Sequence, residues 1–312
     1  MLPDPVVLFF LLGLVARLAR SDLRVPEPLY EALSLYLLLA IGLKGGVELS
    51  RHPLAALAPQ VAGVVALGVA ITFAAYAMLR LAGRLARPDA ASIAGHYGSV
   101  SVVTFAVCVS WLAARGIPHE SHMAVFVAIL EVPGLVIGIA LARLGSPGGV
   151  AWGRLAHEVL VGKGIVLLVG GLAIGWVAGP EGAKPLQPLF GDLFRGVLAF
   201  FLLEMGLVVG RQLGDLRRAG LFLPAFAVAG PLAFGAAGAW AGTALGFSPG
   251  GATIVATLSA SASYIAAPTA MRIAIPEASP ALSLVAVLGI TFPFNITLGI
   301  PAYHRMAAAF AG

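Results

Sequence analysis

The chain of 312 residues is 60% hydrophobic and 11% charged, and its mean hydropathy is +0.98. Soluble domains carry about 25% charged residues, so this composition excludes soluble enzymes, secreted disulfide scaffolds and nucleic-acid-binding proteins. The net charge of +5 does not indicate a nucleic acid partner, because the basic residues fall in short segments between apolar runs.

Charge-poor runs predict ten membrane-spanning helices, numbered here as spans 1 to 10. A helix needs about 20 apolar residues to cross a bilayer, and the uncharged run from Ala219 to Met271 is long enough to cross twice. We therefore expect an all-α polytopic membrane protein. The predicted spans are 4–20, 28–49, 53–80, 89–114, 119–143, 155–178, 187–211, 219–245, 249–272 and 279–304.

The basic residues predict the orientation of these spans. Thirteen of the 19 Lys and Arg residues follow odd-numbered spans, and five follow even-numbered spans. Cytoplasmic loops are enriched in Lys and Arg, so both termini are expected outside the cytoplasm. The first apolar run has no basic segment before it and no cleavage site after it, which favours a retained helix.

The two halves of the chain share motifs in the same order. Gly42-Leu-Lys-Gly-Gly46 in span 2 matches Gly206-Leu-Val-Val-Gly210 in span 7, and Pro133 and Pro293 lie at corresponding depths of spans 5 and 10. Five spans per repeat is an odd number, so the second copy must be inverted in the membrane. Inverted repeats are typical of secondary transporters, although a duplicated scaffold or a channel is an alternative.

This repeat predicts the domain organisation. Residues 1–144 form the first repeat, residues 145–153 form a short cytoplasmic linker, and residues 154–312 form the second repeat. The substrate site of such carriers lies near the midplane, where the two repeats meet.

Spans 4 and 9 are expected to be interrupted helices. Span 4 contains Gly95-His-Tyr-Gly-Ser-Val-Ser101, and the corresponding part of span 9 is Ser259-Ala-Ser-Ala-Ser263, followed by Pro268. Clustered Gly, Ser and Pro lower helix propensity and free backbone N–H and C=O groups. A broken helix presents N–H donors to a small anion, and its carbonyls and hydroxyls can ligate Na⁺. Close helix packing by small residues is the alternative.

Ionisable residues within spans are further functional candidates. Glu131 lies near the expected site, and a functional role and structural pairing are both open for it. His96 is expected to relay protons, to donate to an anion, or to pack as a hydrogen-bonded residue.

The other charged residues within spans are expected to form pairs. Glu204 and Arg195 in span 7 are too far apart along the helix for a local pair, so each is expected to find a partner on another helix. Lys44 and Glu48 are spaced i, i+4, which predicts a local ion pair. Sequence motifs of zinc proteases, serine hydrolases and ATP-binding loops are absent, so we do not expect an enzyme.

Over nearly its whole length, the chain resembles the sodium-dependent bicarbonate transporter family best known from cyanobacteria. The motifs that carry the resemblance are Ile41-Gly-Leu-Lys-Gly-Gly46, Gly95-His-Tyr-Gly-Ser-Val-Ser101, Glu131-Val-Pro133, Ser261-Ala-Ser-Tyr-Ile-Ala-Ala-Pro268 and Gly299-Ile-Pro301. The resemblance implies a homotrimer that takes up bicarbonate with Na⁺ and needs no other cofactor. We expect it in the bacterial inner membrane, with both termini periplasmic from the distribution of basic residues. It also implies a core domain of spans 3–5 and 8–10 that moves against a gate domain of spans 1, 2, 6 and 7. A regulatory partner similar to PII proteins is a further expectation, although the central linker is shorter here than in cyanobacterial members.

The resemblance also implies the site residues. Those expected to bind substrate are Gly98, Ser99, Ser101, Thr104, Ser259, Ser261 and Ser263. Those expected to couple an ion are Glu131, Ser263, Tyr264 and Thr269, with His96 and Glu204 as further candidates. Family members carry Asp at the positions of Glu131 and Tyr264, so this chain keeps one of the two acids.

The functional hypothesis is a secondary carrier for bicarbonate or a similar small anion, working by alternating access with Na⁺. One alternative is a proton- or Na⁺-coupled carrier of an organic monocarboxylate. A second alternative is a membrane scaffold or sensor that does not transport.

Overall fold

The computed structural model describes residues 5–51, 54–144, 161–212 and 220–312, together with the single positions 153 and 157. The predicted linker at 145–153 lies outside the described residues except for its last position. Within the described ranges the secondary structure is helical, with no β-strand. Seven helical stretches there are long and apolar enough to cross a membrane, and one of them, Arg87–Ala113, consists of two helices with a short break between them.

The described part of the chain contains twelve helices besides separate short 3₁₀ and π turns. They are α1 (Pro5–Leu18), α2 (Glu27–Leu49), α3 (Leu54–Ala77), α4 (Arg87–Gly98), α5 (Val102–Ala113), α6 (Ala124–Arg143), α7 (Lys163–Ala183), α8 (Phe194–Gln212), α9 (Phe222–Ala244), α10 (Pro249–Ala260), α11 (Ala267–Ala274) and α12 (Pro280–Ala311). The last of them, α12, includes π-helical stretches at Val285–Thr291 and Asn295–Gly299.

Each of the ten predicted spans contains helix, but three of them are not among the seven long apolar helices. In span 1, α1 has only 14 residues. In span 7, α8 carries three charged residues, Arg195, Glu204 and Arg211, within 19 residues. Span 9 is divided between α10 and α11, of 12 and 8 residues, by the six non-helical residues 261–266, whereas the break of three residues in span 4 still leaves Arg87–Ala113 as one apolar span. The short length of α1, the charged residues of α8 and the longer break in span 9 therefore explain why these three spans are not among the seven.

Glycines bring α2 and α7 into backbone contact. A Cβ added at Gly46 would lie 2.0 Å from the carbonyl oxygen of Leu172, and one added at Gly175 would lie 2.2 Å from that of Leu43. Such distances are far below van der Waals contact, so only glycine permits this approach. The two helices therefore form a tightly packed pair.

The same device joins α1 and α8. A Cβ added at Gly13 would lie 2.0 Å from the carbonyl oxygen of Leu203, and one added at Gly206 would lie 2.1 Å from that of Phe10. Span 1 thus pairs with span 7, and span 6 pairs with span 2.

Replacing Gly175 by valine is expected to destabilise the protein. The new side chain would push α7 away from α2, and overpacking of this kind costs roughly 1–3 kcal/mol or more. The measurement is the Tm of the purified protein in detergent. Gly170 on the same helix is the matched control, because a Cβ there has no atom within 4 Å. An equal fall in Tm for Gly170→Val and Gly175→Val would contradict the packing argument.

Candidate functional site

Both predicted interruptions are present. α4 ends at Gly98, Ser99 and Ser101 have extended backbone conformations, and α5 begins at Val102. In the second half α10 ends at Ala260, and helix resumes only at Ala267. Two short non-helical segments, 99–101 and 261–266, therefore lie within otherwise helical spans.

The N-terminus of α5 is capped from within the first segment. The Ser101 hydroxyl oxygen accepts hydrogen bonds from the Thr104 amide at 3.1 Å and from the Thr104 hydroxyl at 2.9 Å. Capping by a serine oxygen satisfies one of the N–H groups that a helix start leaves unpaired. Thr104 therefore holds the Ser101 side chain in position at this helix end.

Hydrogen bonds tie the two interruptions to each other. The Ser101 amide donates to the Ser261 hydroxyl at 3.0 Å, and the Ser263 amide donates to the His96 carbonyl at 2.9 Å. The His96 ring nitrogen Nδ1 lies 2.6 Å from the Ser263 carbonyl oxygen. The His96 ring and carbonyl therefore both serve to join the segments, as expected for a hydrogen-bonded packing histidine.

Glu131 on α6 lies where these segments meet. Its Oε1 accepts a hydrogen bond from the Ser263 hydroxyl at 3.0 Å, and its backbone carbonyl accepts one from the Ser99 hydroxyl at 2.9 Å. The residue is 4% exposed, and its Oε2 is buried without a hydrogen-bond partner among the described residues. Buried polar atoms are normally paired, so this oxygen has capacity left for a proton, a water molecule or a cation.

A cavity of about 10 Å³ lies beside this carboxylate. Its polar lining comes from Ser101, Glu131, Ser263 and Tyr264, and its opposite wall is formed by α2 and α7. This volume is close to the smallest that holds one water molecule. The site therefore has room for a single water molecule or small ion.

The Tyr264 side chain closes one side of the cavity. Its hydroxyl approaches the Ser101 side chain, but it is buried without a hydrogen bond to any described residue. Its ring packs edge-on against Phe292, with 5.2 Å between centroids. Two unpaired oxygens, from Glu131 and Tyr264, thus belong to residues that line the same small space.

Other predicted site residues lie around this cavity without lining it. Ser259 is still within α10 and packs against α9, where a Cβ added at Gly238 would meet its hydroxyl at 2.6 Å. Gly98 packs against α6, where a Cβ added at Gly134 would lie 2.1 Å from the Gly98 carbonyl carbon. Both positions are therefore in close packing contact with a neighbouring helix.

Two further candidates lie elsewhere. Thr269 lines a neighbouring cavity of about 190 Å³, which shares Gly164, Ile265 and Ala266 with the small cavity. Glu204 forms an ion pair with Arg211 at 3.3 Å, and neither lines the small cavity. The expectation that Glu204 pairs with another helix is wrong, because Arg211 follows two turns later on α8 and its long side chain reaches back.

The predicted Lys44–Glu48 pair is also wrong. Glu48 pairs instead with Arg51 at 3.2 Å. The Lys44 ammonium lies over the ring of Phe194, with 4.3 Å between Nζ and the ring centroid. A side chain at i+3 is as close on a helix as one at i+4, so the spacing alone could not select the partner.

The sequence did not predict the non-polar wall of the cavity, nor that only the first repeat supplies a carboxylate to the site. Leu38 on α2, and Gly164 and Leu168 on α7, complete the cavity, and no motif marks them. The Pro133–Pro293 correspondence makes Thr291 the equivalent of Glu131 in the second repeat. The second repeat therefore has a hydroxyl where the first has a carboxylate. That correspondence could have revealed the difference.

The sequence matches the Na⁺-dependent bicarbonate transporter superfamily over residues 5–308. A search among curated proteins found no match. With seven long apolar helices in its described part, the protein is a multi-pass membrane protein, and membership of a transporter family agrees with the expectation that it is not an enzyme. The chain belongs to the Na⁺-dependent bicarbonate transporter superfamily.

Proposed function

We propose that the protein takes up bicarbonate together with Na⁺ by alternating access, with the ion bound beside Glu131. The observation that carries this proposal is the buried, unpaired Oε2 of Glu131 next to a cavity of about 10 Å³. A charged group within the membrane is costly unless it has a partner. Na⁺ would neutralise the carboxylate, and the hydroxyls of Ser101, Ser263 and Tyr264 would add oxygen ligands.

Bicarbonate is proposed to bind next to the ion, at the start of α5. The N-terminus of a helix carries a partial positive charge, and its first N–H groups are donors for oxyanions. Ser99, Ser101 and Ser261 place further hydroxyl groups around this helix end. The small cavity leaves no room for both the ion and the anion, so on this proposal the site is closed.

The walls of the cavity support the alternating-access mechanism. Its polar side belongs to spans 4, 5 and 9, which we assign to the core domain, and its apolar side belongs to α2 and α7, which we assign to the gate domain. Movement of the core domain away from Leu38 and Leu168 would open the site. The polar ligands travel together, because hydrogen bonds tie both interruptions to each other and to α6.

The pairing of helices supports an inverted repeat of ten spans. Exchange of the two repeats turns span 1 into span 6 and span 7 into span 2. The glycine-packed pair of α1 and α8 is then equivalent to the glycine-packed pair of α7 and α2. We extend the proposal to a homotrimer in the bacterial inner membrane with periplasmic termini, from the family likeness and the distribution of basic residues. A PII-like partner is the corresponding proposal for regulation.

The test is the uptake of ¹⁴C-bicarbonate into proteoliposomes at fixed pH, with and without an inward Na⁺ gradient. Empty liposomes correct for CO₂ leakage. The proposal expects uptake that Na⁺ stimulates. No uptake by folded protein under either condition would contradict it and would favour the scaffold or sensor alternative.

A second candidate is a proton-coupled carrier of an organic monocarboxylate. The observation that favours it is the single carboxylate at the site, because Glu131 can bind a proton where Tyr264 replaces the second acid. Uptake of labelled acetate driven by a pH gradient in Na⁺-free buffer would support this candidate over the first.

A further inference from the structure

A second and much larger cavity, of about 610 Å³, lies between α2, α5 and α8. It shares no lining residue with the small cavity beside Glu131. Its walls come from both the proposed gate domain and the proposed core domain. The small cavity can hold only one ion, so this space could hold the anion outside the closed site.

The charge of the large cavity is strongly asymmetric. Its cationic lining residues are Lys44, Arg51, Lys184 and Arg195, and Glu48 is the anionic one. Glu48 is already paired with Arg51. A cleft with low-dielectric walls and one sign of charge concentrates ions of the opposite sign.

Lys44 lies within span 2, on the helix α2 that lines the cavity. The glycines on either side of it, Gly42 and Gly46, pack against α7, so the lysine lies on the other face of α2, toward the cavity. Its ammonium contacts the face of the Phe194 ring and makes no ion pair within the described residues. Asp192 acts on it electrostatically but is not at ion-pair distance.

Ser110 on α5 is an independent observation at the same cavity. Its side chain lines the cavity and is 5% exposed, and its Oγ is buried without a hydrogen-bond partner among the described residues. A buried hydroxyl normally donates or accepts a hydrogen bond, so Ser110 Oγ has capacity left for one more partner, a water molecule or a ligand. The ammonium of Lys44 and the hydroxyl of Ser110 are complementary to a small oxyanion.

We propose that the cavity lined by Lys44 and Ser110 is a second anion site, a vestibule that binds a small carboxylate or bicarbonate before it reaches the helix interruptions. The inference rests on the proposed function, since it names a second binding site for the same anion. Lys44 supplies the charge, and Ser110 supplies a directional hydrogen bond.

The experiment measures the electric potential in the cavity without transport. Ala113, which lines the cavity and is exposed, is replaced by cysteine in the purified protein in detergent. The native Cys108 is buried, so the unmodified chain serves as the blank. The rates of labelling by an anionic and by a cationic thiosulfonate reagent are compared, and their ratio reports the local potential.

Lys44→Met is expected to lower the anionic-to-cationic rate ratio about tenfold, because a unit charge several ångströms away changes both rates in opposite directions. Lys44→Arg should keep the ratio. Lys163→Met is the matched control, because it removes a lysine that pairs with Glu31 and does not line the cavity. An unchanged ratio in Lys44→Met, or an equal fall in Lys163→Met, would overturn the proposal.

Anion occupancy is measured on the same cysteine. Bicarbonate and acetate are expected to slow the labelling, and Ser110→Ala should raise the half-effective concentration about fivefold through loss of one hydrogen bond. If Lys44→Met fails to fold, Lys44→Gln and a salt titration of the unsubstituted lysine take its place, since salt screens an exposed charge. Protection by an anionic lipid alone would overturn the assignment to a small anion.

The two proposals fail separately. A normal rate ratio and normal protection in a protein without uptake would support the anion site and contradict the proposed carrier function. Na⁺-stimulated uptake with no effect of Lys44→Met on the rate ratio would support the carrier function and contradict the anion site in the large cavity.

Discussion

Replacement of Glu131 by glutamine is expected to abolish the stimulation of bicarbonate uptake by Na⁺. Glutamine retains the shape of the side chain and can still accept the hydrogen bond from Ser263, but it cannot neutralise a cation. Loss of one partner of a buried charge pair costs about 3–5 kcal/mol, which corresponds to at least a 100-fold weaker affinity for Na⁺. The measurement is the initial rate of ¹⁴C-bicarbonate uptake as a function of Na⁺ concentration.

Glu131→Asp separates charge from length. It keeps the carboxylate and shortens the side chain by one methylene, so partial Na⁺ stimulation at higher Na⁺ concentration is expected. Glu204→Gln is the matched control, because this carboxylate lies within a span, pairs with Arg211 and does not line the small cavity. Full Na⁺ stimulation in folded Glu131→Gln would exclude this residue as the ion ligand.

Ser261→Leu and Ser263→Leu are each expected to lower uptake at least ~100-fold while the protein remains folded. Both serines are at most 1% exposed, and the adjoining cavity of about 10 Å³ has no space for a leucine side chain. The first change also removes the acceptor of the Ser101 amide, and the second removes the donor to Glu131. Uptake per folded protein, after size-exclusion chromatography, is the quantity to compare.

The milder pair Ser263→Ala and Ser259→Ala tests the position of the site. Ser263→Ala is expected to lower uptake about tenfold, because a hydrogen bond to a charged group contributes roughly 1.5–3 kcal/mol. Ser259→Ala should leave uptake near that of the unsubstituted protein, since this serine packs against α9 and does not line the cavity. Normal uptake by folded Ser263→Leu would contradict the assignment of Ser263 to the transport site.

The interruptions of spans 4 and 9 could be predicted because Gly, Ser and Pro act locally on the backbone. The exact end of each helix could not, since boundaries depend on tertiary contacts. Ser259, Ser261 and Ser263 are the same residue type in one short segment. Only the position of the last helical residue, Ala260, decides that Ser259 faces a neighbouring helix. Ser261 reaches the interruption in span 4, and Ser263 reaches Glu131.

Partners of charged side chains were the least predictable feature. The sequence offers Glu48 both Lys44 and Arg51 as helical neighbours, and it offers Glu204 no obvious local partner. In the structure Arg51 and Arg211 are the partners, which leaves Lys44 toward the large cavity. Long flexible side chains choose partners from the local surroundings, and these surroundings exist only in the folded protein.

The contrast between Glu131 and Thr291 has an electrical consequence. The two repeats supply similar interruptions but one carboxylate, so on the proposed function the site would hold one fixed negative charge and would suit one Na⁺ per cycle. One Na⁺ and one bicarbonate together carry no net charge across the bilayer, and the fixed charge of Glu131 returns with the empty protein. The membrane potential, which acts with about 2.3 kcal/mol per charge per 100 mV, would then add nothing to accumulation. The ratio of Na⁺ concentrations across the membrane alone would set the highest bicarbonate ratio that the cell can reach.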